Sequence, residues 1–188
     1  ANFEWAGTFV AHEIYQREDG TLGVKIPDTV WAAFNEREKI ADFTIDSPYA
    51  REEKVVAREC GDLFSFEADV KFSGDPRSFG VRILESEEKA QAYQFLFHVK
   101  ENRYVFEKNP NWPWFGCMNI GLERPIDLNA GETYHIQIIF DDDIATLYVN
   151  GVALNTRAYE KPGDSLSLFV TDGTLEVTNA SIARGIKA

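Results

Sequence analysis

The residues with the most distinctive chemistry are two tryptophans in a proline-containing stretch. Trp112 and Trp114 lie in Asn109-Pro-Asn-Trp-Pro-Trp-Phe-Gly116, where the prolines are incompatible with a central strand and predict a loop. An exposed indole in a rigid loop offers a flat apolar surface on which a sugar ring can stack. The stretch therefore predicts a carbohydrate contact at Trp112 and Trp114. The alternative is that both side chains cover the end of a sheet or dock onto another domain.

Three charged residues are candidates for holding sugar hydroxyls beside these tryptophans. Arg82, Arg103 and Glu107 occupy predicted outward positions on neighbouring hairpins. Charged groups that form paired hydrogen bonds are well suited to fix the orientation of a polar ligand. We therefore expect these three side chains to contact the ligand. The alternative is that each is an ordinary surface charge.

The sequence contains no recognisable metal or cofactor motif. Asp141–Asp143 could supply oxygen ligands to Ca²⁺, but the run lacks the spaced ligands of an EF-hand loop and is typical of an acidic turn. Cys60 and Cys117 are far apart and do not have zinc-ligand spacing, so we expect both to be buried free thiols. No cofactor and no metal are predicted.

The histidines do not form an obvious catalytic group with a nucleophile. His12, His98 and His135 lie in different predicted strands, and no Gly-x-Ser-x-Gly elbow is present. We therefore expect histidines of the core or of sheet edges, and no catalytic residue is assigned.

Period-2 alternation of apolar and polar residues dominates the chain from Phe64 onward. Phe64, Phe66 and Ala68 alternate with Ser65 and Glu67, which predicts one buried and one solvated face. About nine such runs, separated by Gly, Asp, Asn and Pro turns, predict an all-β antiparallel sandwich of jelly-roll or concanavalin-like type. The predicted strands are 64–72, 79–84, 93–99, 103–108, 135–140, 144–149, 153–159, 166–170 and 175–182.

The first third of the chain has a different pattern. Val10–Gln16 and Thr21–Ile26 predict a hairpin, and Asp28 is a candidate N-cap for a helix from Thr29 to about Lys39. Residues 49–58 predict one more strand. We therefore divide the chain into residues 1–48, with the hairpin and linker helix, and residues 49–188, with the sandwich.

Composition excludes several classes of partner. The 188 residues carry 19 Lys and Arg against 31 Asp and Glu, a net charge of −12, so nucleic acid is not an expected partner. No run reaches the ~18 to 20 apolar residues of a membrane-spanning helix. The chain begins with Ala1 rather than Met, which suggests a processed product or a fragment.

Five segments carry a family resemblance, and their order along the chain is its strongest feature. They are Glu123–Leu128, Tyr134–Gly151 with its "Val-Asn-Gly", Thr156–Tyr159, Ser167–Val170 with its "Leu-Phe-Val", and the hairpin His12–Pro27. Together they resemble the carboxy-terminal β-sandwich of glycoside hydrolase family 32, the β-fructosidase and levanase-like enzymes, and the hairpin by which such enzymes leave their catalytic propeller. The sandwich is also similar to the family 66 carbohydrate-binding modules, which bind fructans.

The resemblance implies a non-catalytic module. It would support the catalytic propeller of the same chain and bind a fructose-containing glycan, in an extracellular or cytoplasmic enzyme of a carbohydrate-using bacterium. The family's Trp-Met-Asn-Asp-Pro-Asn-Gly and Arg-Asp-Pro motifs are missing. Glu59-Cys-Gly-Asp-Leu-Phe64 looks like the family's acid/base motif, but it follows the hairpin, so Glu59 is interpreted as a turn acid.

Two other functions remain open at this point. A self-sufficient concanavalin-like glycosidase would need paired carboxylates on a concave face, usually at even spacing on one strand, and the sequence contains no such motif. A purely structural or oligomerisation domain would show neither hydrolysis nor sugar binding, and would expose an apolar patch.

Overall fold

The fold is an antiparallel β-sandwich with a hairpin and a short helix at its amino-terminal side. The computed structural model describes residues 9–110 and 122–186. The helical elements are α1 (Asp28–Ala33) and a 3-10 turn, Val99–Glu101. The strands are β1 (Glu13–Gln16), β2 (Leu22–Lys25), β3 (Arg37–Lys39), β4 (Phe43–Ala57), β5 (Leu63–Ser73), β6 (Ser78–Ser86), β7 (Gln91–His98), β8 (Arg103–Asn109), β9 (Glu123–Pro125), β10 (Thr133–Asp141), β11 (Ile144–Val149), β12 (Val152–Arg157) and β13 (Ser165–Arg184).

One continuous sheet of 11 strands folds over to make two layers. Layer A contains β6 to β9 with residues 165–171 of β13 and residues 51–57 of β4. Layer B contains β3, β5 and β10 to β12 with residues 174–184 of β13 and residues 43–47 of β4. The two long strands therefore belong to both layers. A register shift between Thr171 and Gly173 of β13 marks the passage from one layer to the other.

The core lies between the layers and follows the predicted alternation. Phe64, Phe66 and Phe72 of β5 are buried, whereas Glu67 and Lys71 between them are partly exposed. Aromatic side chains contact each other across the layers, for example Phe72 of β5 and Phe79 of β6, whose ring centroids are 5.4 Å apart. The predicted fold class is confirmed.

The structure corrects two predicted elements. The runs at 166–170 and 175–182 were expected to be two strands joined by a turn, but they form the single strand β13. The predicted helix from Thr29 to about Lys39 ends at Ala33, and residues 37–39 instead form β3, which pairs with β13. Pairing with an open edge of the sandwich overrides a helical pattern that has only one buried side chain, Phe34.

The predicted domain boundary, between residues 48 and 49, lies within β4. Residues 37–47 already pair with β13. The division itself stays a prediction. None of the helices in the two described ranges is long and apolar enough to cross a membrane.

The hairpin β1–β2 rests on the turn between β11 and β12. The Val24 N–H donates to the Gly151 carbonyl at 2.9 Å, and Arg17 Nη2 donates to the same oxygen at 2.9 Å. The Tyr15 side chain lies so close to Gly151 that a Cβ there would be 2.4 Å from the Tyr15 hydroxyl. Gly151 follows Asn150 in the predicted Asn-Gly turn, and both have positive φ. The hairpin thus depends on a glycine at this turn.

Candidate functional site

The outer surface of layer A carries a row of polar residues that crosses four strands. Strand register aligns Ser167, Arg82, Gln94 and Glu107 on β13, β6, β7 and β8. Paired residues of adjacent antiparallel strands point to the same side of a sheet, so these side chains share the solvent side. We call this surface the polar face; its residues are Arg51, Glu53, Arg82, Glu85, Gln94, Glu107, Ser167 and Phe169.

Arg82 is the centre of the polar face. Its side chain is largely buried, and its Nη1 donates to Glu53 Oε2 at 2.5 Å and contacts Glu85 Oε1 at 2.9 Å. Glu85 is buried as well, and its Oε2 accepts a hydrogen bond from Ser167 Oγ at 2.6 Å. Arg82 Nε is buried and has no hydrogen-bond partner among the described residues. The guanidinium is therefore fixed and retains a donor.

Gln94 links Glu107 to Arg51. Gln94 Nε2 donates to Glu107 Oε1 at 2.6 Å, and Gln94 Oε1 accepts from Arg51 Nη1 at 3.2 Å. Only 1% of Gln94 is exposed, whereas Glu107 is partly exposed. The amide is thus held by both neighbours, and the Glu107 carboxylate lies at the rim where a ligand can reach it.

An aromatic ring lies within the polar face. Phe169 points to the solvent side of layer A between the inward-facing Leu168 and Val170, yet its exposed fraction is 0%. The ring lies across Gly80 on the neighbouring strand, and the Arg51 guanidinium carbon lies 3.9 Å above the ring centroid. Burial, with a smaller effect from Arg82, lowers the pKa of Arg51.

The structure brings together only part of the predicted ligand set. Arg82 and Glu107 share one row, with Gln94 between them. Arg103 is four residues from Glu107 along β8, about 13 Å away, and its guanidinium pairs with Glu101 at 2.5 Å and Glu123 at 2.6 Å. Trp112 and Trp114 lie outside the described residues.

Six residues of the polar face were not predicted from the sequence: Arg51, Glu53, Glu85, Gln94, Ser167 and Phe169. Gln94 had a usable signal, because it interrupts the aromatic run of β7 at an outward position. Arg51 and Glu53 had none, since their approach depends on the pairing of β4 with β13 more than 100 residues away.

Two of the three carboxylates in the acidic turn Asp141–Asp143 are paired with basic side chains. Lys161 Nζ lies 2.8 Å from Asp142 Oδ1, and Arg157 Nε lies 2.9 Å from Asp143 Oδ2. Within the described ranges, no group of three His, Cys, Asp or Glu residues is arranged to hold a metal ion. The turn is therefore explained by its own ion pairs.

The remaining sequence motifs have structural roles. Glu59 is exposed at a turn, as predicted from the sequence, and the adjacent Cys60 is a buried free thiol whose pKa is raised by burial to about 11. Cys117 lies outside the described residues. His12 Nδ1 contacts the Tyr148 hydroxyl at 2.9 Å, and His135 Nδ1 contacts Asp69 Oδ1 at 2.7 Å.

Solved structures with a similar fold include whole enzymes and one isolated module. A fructosyltransferase from A. japonicus has a TM-score of 0.69 at 19% identity over 95% of this chain and 32% of its own. A sucrose-6-phosphate hydrolase from Lactobacillus gasseri has a TM-score of 0.58 at 12% identity over 89% of this chain and 33% of its own. The carbohydrate-binding module CBM66 from Bacillus subtilis has a TM-score of 0.59 at 13% identity over 78% of this chain and 94% of its own.

The chain spans about a third of the length of these two enzymes. A comparison with curated protein sequences found no match. A family model does match most of the chain: "Glycosyl hydrolases family 32 C terminal" covers residues 33–184. The match includes every residue of the polar face and both strands shared by the layers. The chain therefore belongs to the family of glycosyl hydrolase family 32 C-terminal domains, the non-catalytic β-sandwich domain of those enzymes.

Proposed function

We propose that this domain binds a fructose-containing glycan on the polar face and supports the catalytic domain of a family 32 enzyme. The observation that carries the binding proposal is Arg82, a buried guanidinium fixed by two carboxylates with its Nε unpartnered among the described residues. A buried polar group without a partner is rare in proteins and calls for an explanation. A ligand hydroxyl that accepts this hydrogen bond would supply one.

The chemistry of the neighbouring side chains suits a neutral polyol. Carboxylates and guanidinium groups alternate along the face, so they offer acceptors and donors to adjacent hydroxyls. Sugar sites combine a few fixed polar groups with an apolar surface. Val105, which is partly exposed in the row next to Glu107 and is paired with the buried Leu96, supplies apolar surface of this kind.

Trp112 and Trp114 remain part of the proposal. Both tryptophans come shortly after Pro110 in the sequence, and Pro110 itself is three residues after Glu107. An indole above the face would stack on the sugar ring while Arg82 and Glu107 hold its hydroxyls. The names of the similar proteins, a fructosyltransferase, a sucrose-6-phosphate hydrolase and a carbohydrate-binding module, support a fructoside as the ligand to test first.

Calorimetric titration with fructose, sucrose, levan and inulin tests this proposal, with a β-glucan as control ligand. We expect saturable binding of at least one fructoside, and at least a tenfold loss of affinity in Glu107→Gln, because a charge-assisted acceptor at the rim becomes a neutral amide. Trp112→Ala and Trp114→Ala report on the stacking contribution.

Glu176→Gln is the matched control, since Glu176 is a half-exposed, ion-paired carboxylate on layer B, 2.5 Å from Lys71 Nζ. It should bind sugar like the unaltered chain. Absence of binding to every fructoside at millimolar concentration would refute the binding proposal. Hydrolysis of the β-glucan would instead favour a concanavalin-like glycosidase.

Apolar side chains exposed on the hairpin support the second part of the proposal, docking to a catalytic domain. Ile14 and Leu22 lie on the side of the hairpin away from Tyr15, and they are 66% and 67% exposed. Nearby, a cavity of about 320 Å³ is lined mainly by apolar residues, among them Phe9, Ile26 and Ile139. Contiguous exposed apolar surface marks an interaction site. We therefore propose that the catalytic domain docks here.

Charging the hairpin tests this contact. In the domain joined to a family 32 catalytic domain, Ile14→Asp with Leu22→Asp should lower the thermal unfolding midpoint by several degrees, because carboxylates would be buried at the interface. In the isolated domain the same pair should change the midpoint little. Tyr49→Asp is the control, since Tyr49 is an exposed aromatic residue of β4. If the double substitution lowers the unfolding midpoint equally in the joined and in the isolated domain, docking at the hairpin is contradicted.

A further inference from the structure

On the polar face, the Phe169 ring lies flat over Gly80 and supports the side chain of Arg51. An ideal Cβ on Gly80 would lie 2.9 Å from Phe169 Cζ and 3.0 Å from Cε1. The ring therefore occupies the space that a side chain at position 80 would need. This arrangement turns a face of the ring away from the sheet and toward Arg51, whose guanidinium carbon is 3.9 Å from the ring centroid.

Arg51 is held on two sides. Stacking of a guanidinium on an aromatic face is favourable, and more so when the pair is partly desolvated. Arg51 Nη1 also donates to Gln94 Oε1 at 3.2 Å, and Glu107 fixes the orientation of that amide. The side chain thus gives up its conformational freedom before any ligand arrives, so a ligand would not bear that entropic loss.

Most of the hydrogen-bonding capacity of Arg51 is unused. A guanidinium has five N–H donors, and only the bond to Gln94 is formed with a described residue. Unlike Arg82, Arg51 has no carboxylate within ion-pair distance in the described part of the chain. Burial lowers the pKa of Arg51 and the charge of Arg82 adds to that effect, whereas Glu53, Glu107 and Glu85 act in the opposite direction.

We infer that Arg51, stacked on Phe169, binds two adjacent hydroxyls of the sugar and determines which fructoside the polar face accepts. This inference rests on the proposed sugar binding and adds the residue that selects the ligand. Phe169 is a positioning residue: it acts through Arg51 rather than by touching the sugar. A planar fork of two parallel N–H donors matches two neighbouring oxygens, whereas a lysine ammonium does not.

Calorimetric titration of the whole chain with the tightest-binding fructoside tests the inference. Arg51→Lys and Arg51→Ala should each reduce affinity at least tenfold, because both remove the donor fork. Phe169→Leu should reduce affinity about threefold or more by releasing Arg51. Thermal unfolding of each variant establishes that it is folded. Sugars that lack one of two adjacent hydroxyls should bind the unaltered chain more weakly but bind Arg51→Ala no more weakly than the parent sugar.

The double variant separates positioning from direct stacking. If Phe169 acts only through Arg51, then Phe169→Leu has no further effect on affinity in the Arg51→Ala background. A further loss in that background would make Phe169 a direct contact and would overturn its positioning role. Tighter binding by Arg51→Ala would show that Arg51 merely covers the ring, and would overturn the whole inference. Absence of binding by the unaltered chain would instead refute the proposed function, and the inference with it.

Discussion

Arg82→Met is expected to lower the free energy of unfolding by about 3–5 kcal/mol, because it leaves a buried carboxylate without its counter-charge. Only 3% of the Glu85 side chain is exposed, and in the variant it would keep the Ser167 hydroxyl as its hydrogen-bond partner but lose Arg82. Methionine preserves most of the buried volume, so the loss reports on charge rather than on packing. Urea unfolding monitored by tryptophan fluorescence at neutral pH measures it.

The paired variant Arg82→Met with Glu85→Met is the control for this result. Replacing both partners of a buried ion pair by apolar residues is often neutral or stabilising. The double variant should therefore recover most of the lost stability while still failing to bind sugar. If the double variant is as unstable as the single one, the cause is packing around position 82 and not the orphaned Glu85.

Gly80→Ala is expected to be the most disruptive single-methyl change on layer A. The new Cβ would lie 2.1 Å from the Phe95 carbonyl oxygen as well as 2.9 Å from Phe169 Cζ. A backbone oxygen in the neighbouring strand β7 cannot move aside as a flexible side chain can. Overpacking costs about 1–3 kcal/mol and sometimes more, and we expect a loss at the upper end of that range in urea unfolding.

Gly61→Ala is the matched control for the substitution at Gly80. Gly61 has φ of +71° and no atom within 4 Å of an added Cβ, so alanine there introduces backbone strain alone. That strain amounts to about 1–2 kcal/mol. Gly80→Ala should therefore be clearly less stable than Gly61→Ala and should also displace the ring beneath Arg51. Equal stability of the two variants would contradict the close approach at Gly80.

The fold was predictable because alternation is a local signal. From Phe64 to Phe72 every second residue is apolar and the four residues between them are polar, so the buried side of β5 could be assigned from the sequence. The turn at Asn150-Gly151 was equally clear. The continuity of β13 was not, because Thr171 to Thr174 contain the residues of a turn but adopt a bulge that is stabilised by strands on both sides.

Residues of the site could be predicted only where the alternation of inward and outward positions along a strand was enough to place them. Arg82 and Glu107 were assigned outward because their apolar neighbours point inward. Nothing local indicates that Arg51 of β4 lies over Phe169 of β13, since that contact depends on a pairing between distant segments. Arg103 shows the same limit. A guanidinium suits a sugar site, but Arg103 lies at the end of β8 away from Glu107, where it pairs with Glu101 and Glu123.

The position of β13 determines when this domain can fold during its synthesis. β13 is central to both layers, pairing with β3, β4, β5 and β6, and it follows the other described strands of the domain in the sequence. While the ribosome is still translating the earlier strands, β5 and β6 have emerged with the edges that β13 will occupy still unpaired. Unpaired edges of this kind are prone to aggregation. The nascent domain therefore passes through an exposed stage that ends only when residues 165–184 leave the exit tunnel, and chaperone protection matters most in that interval.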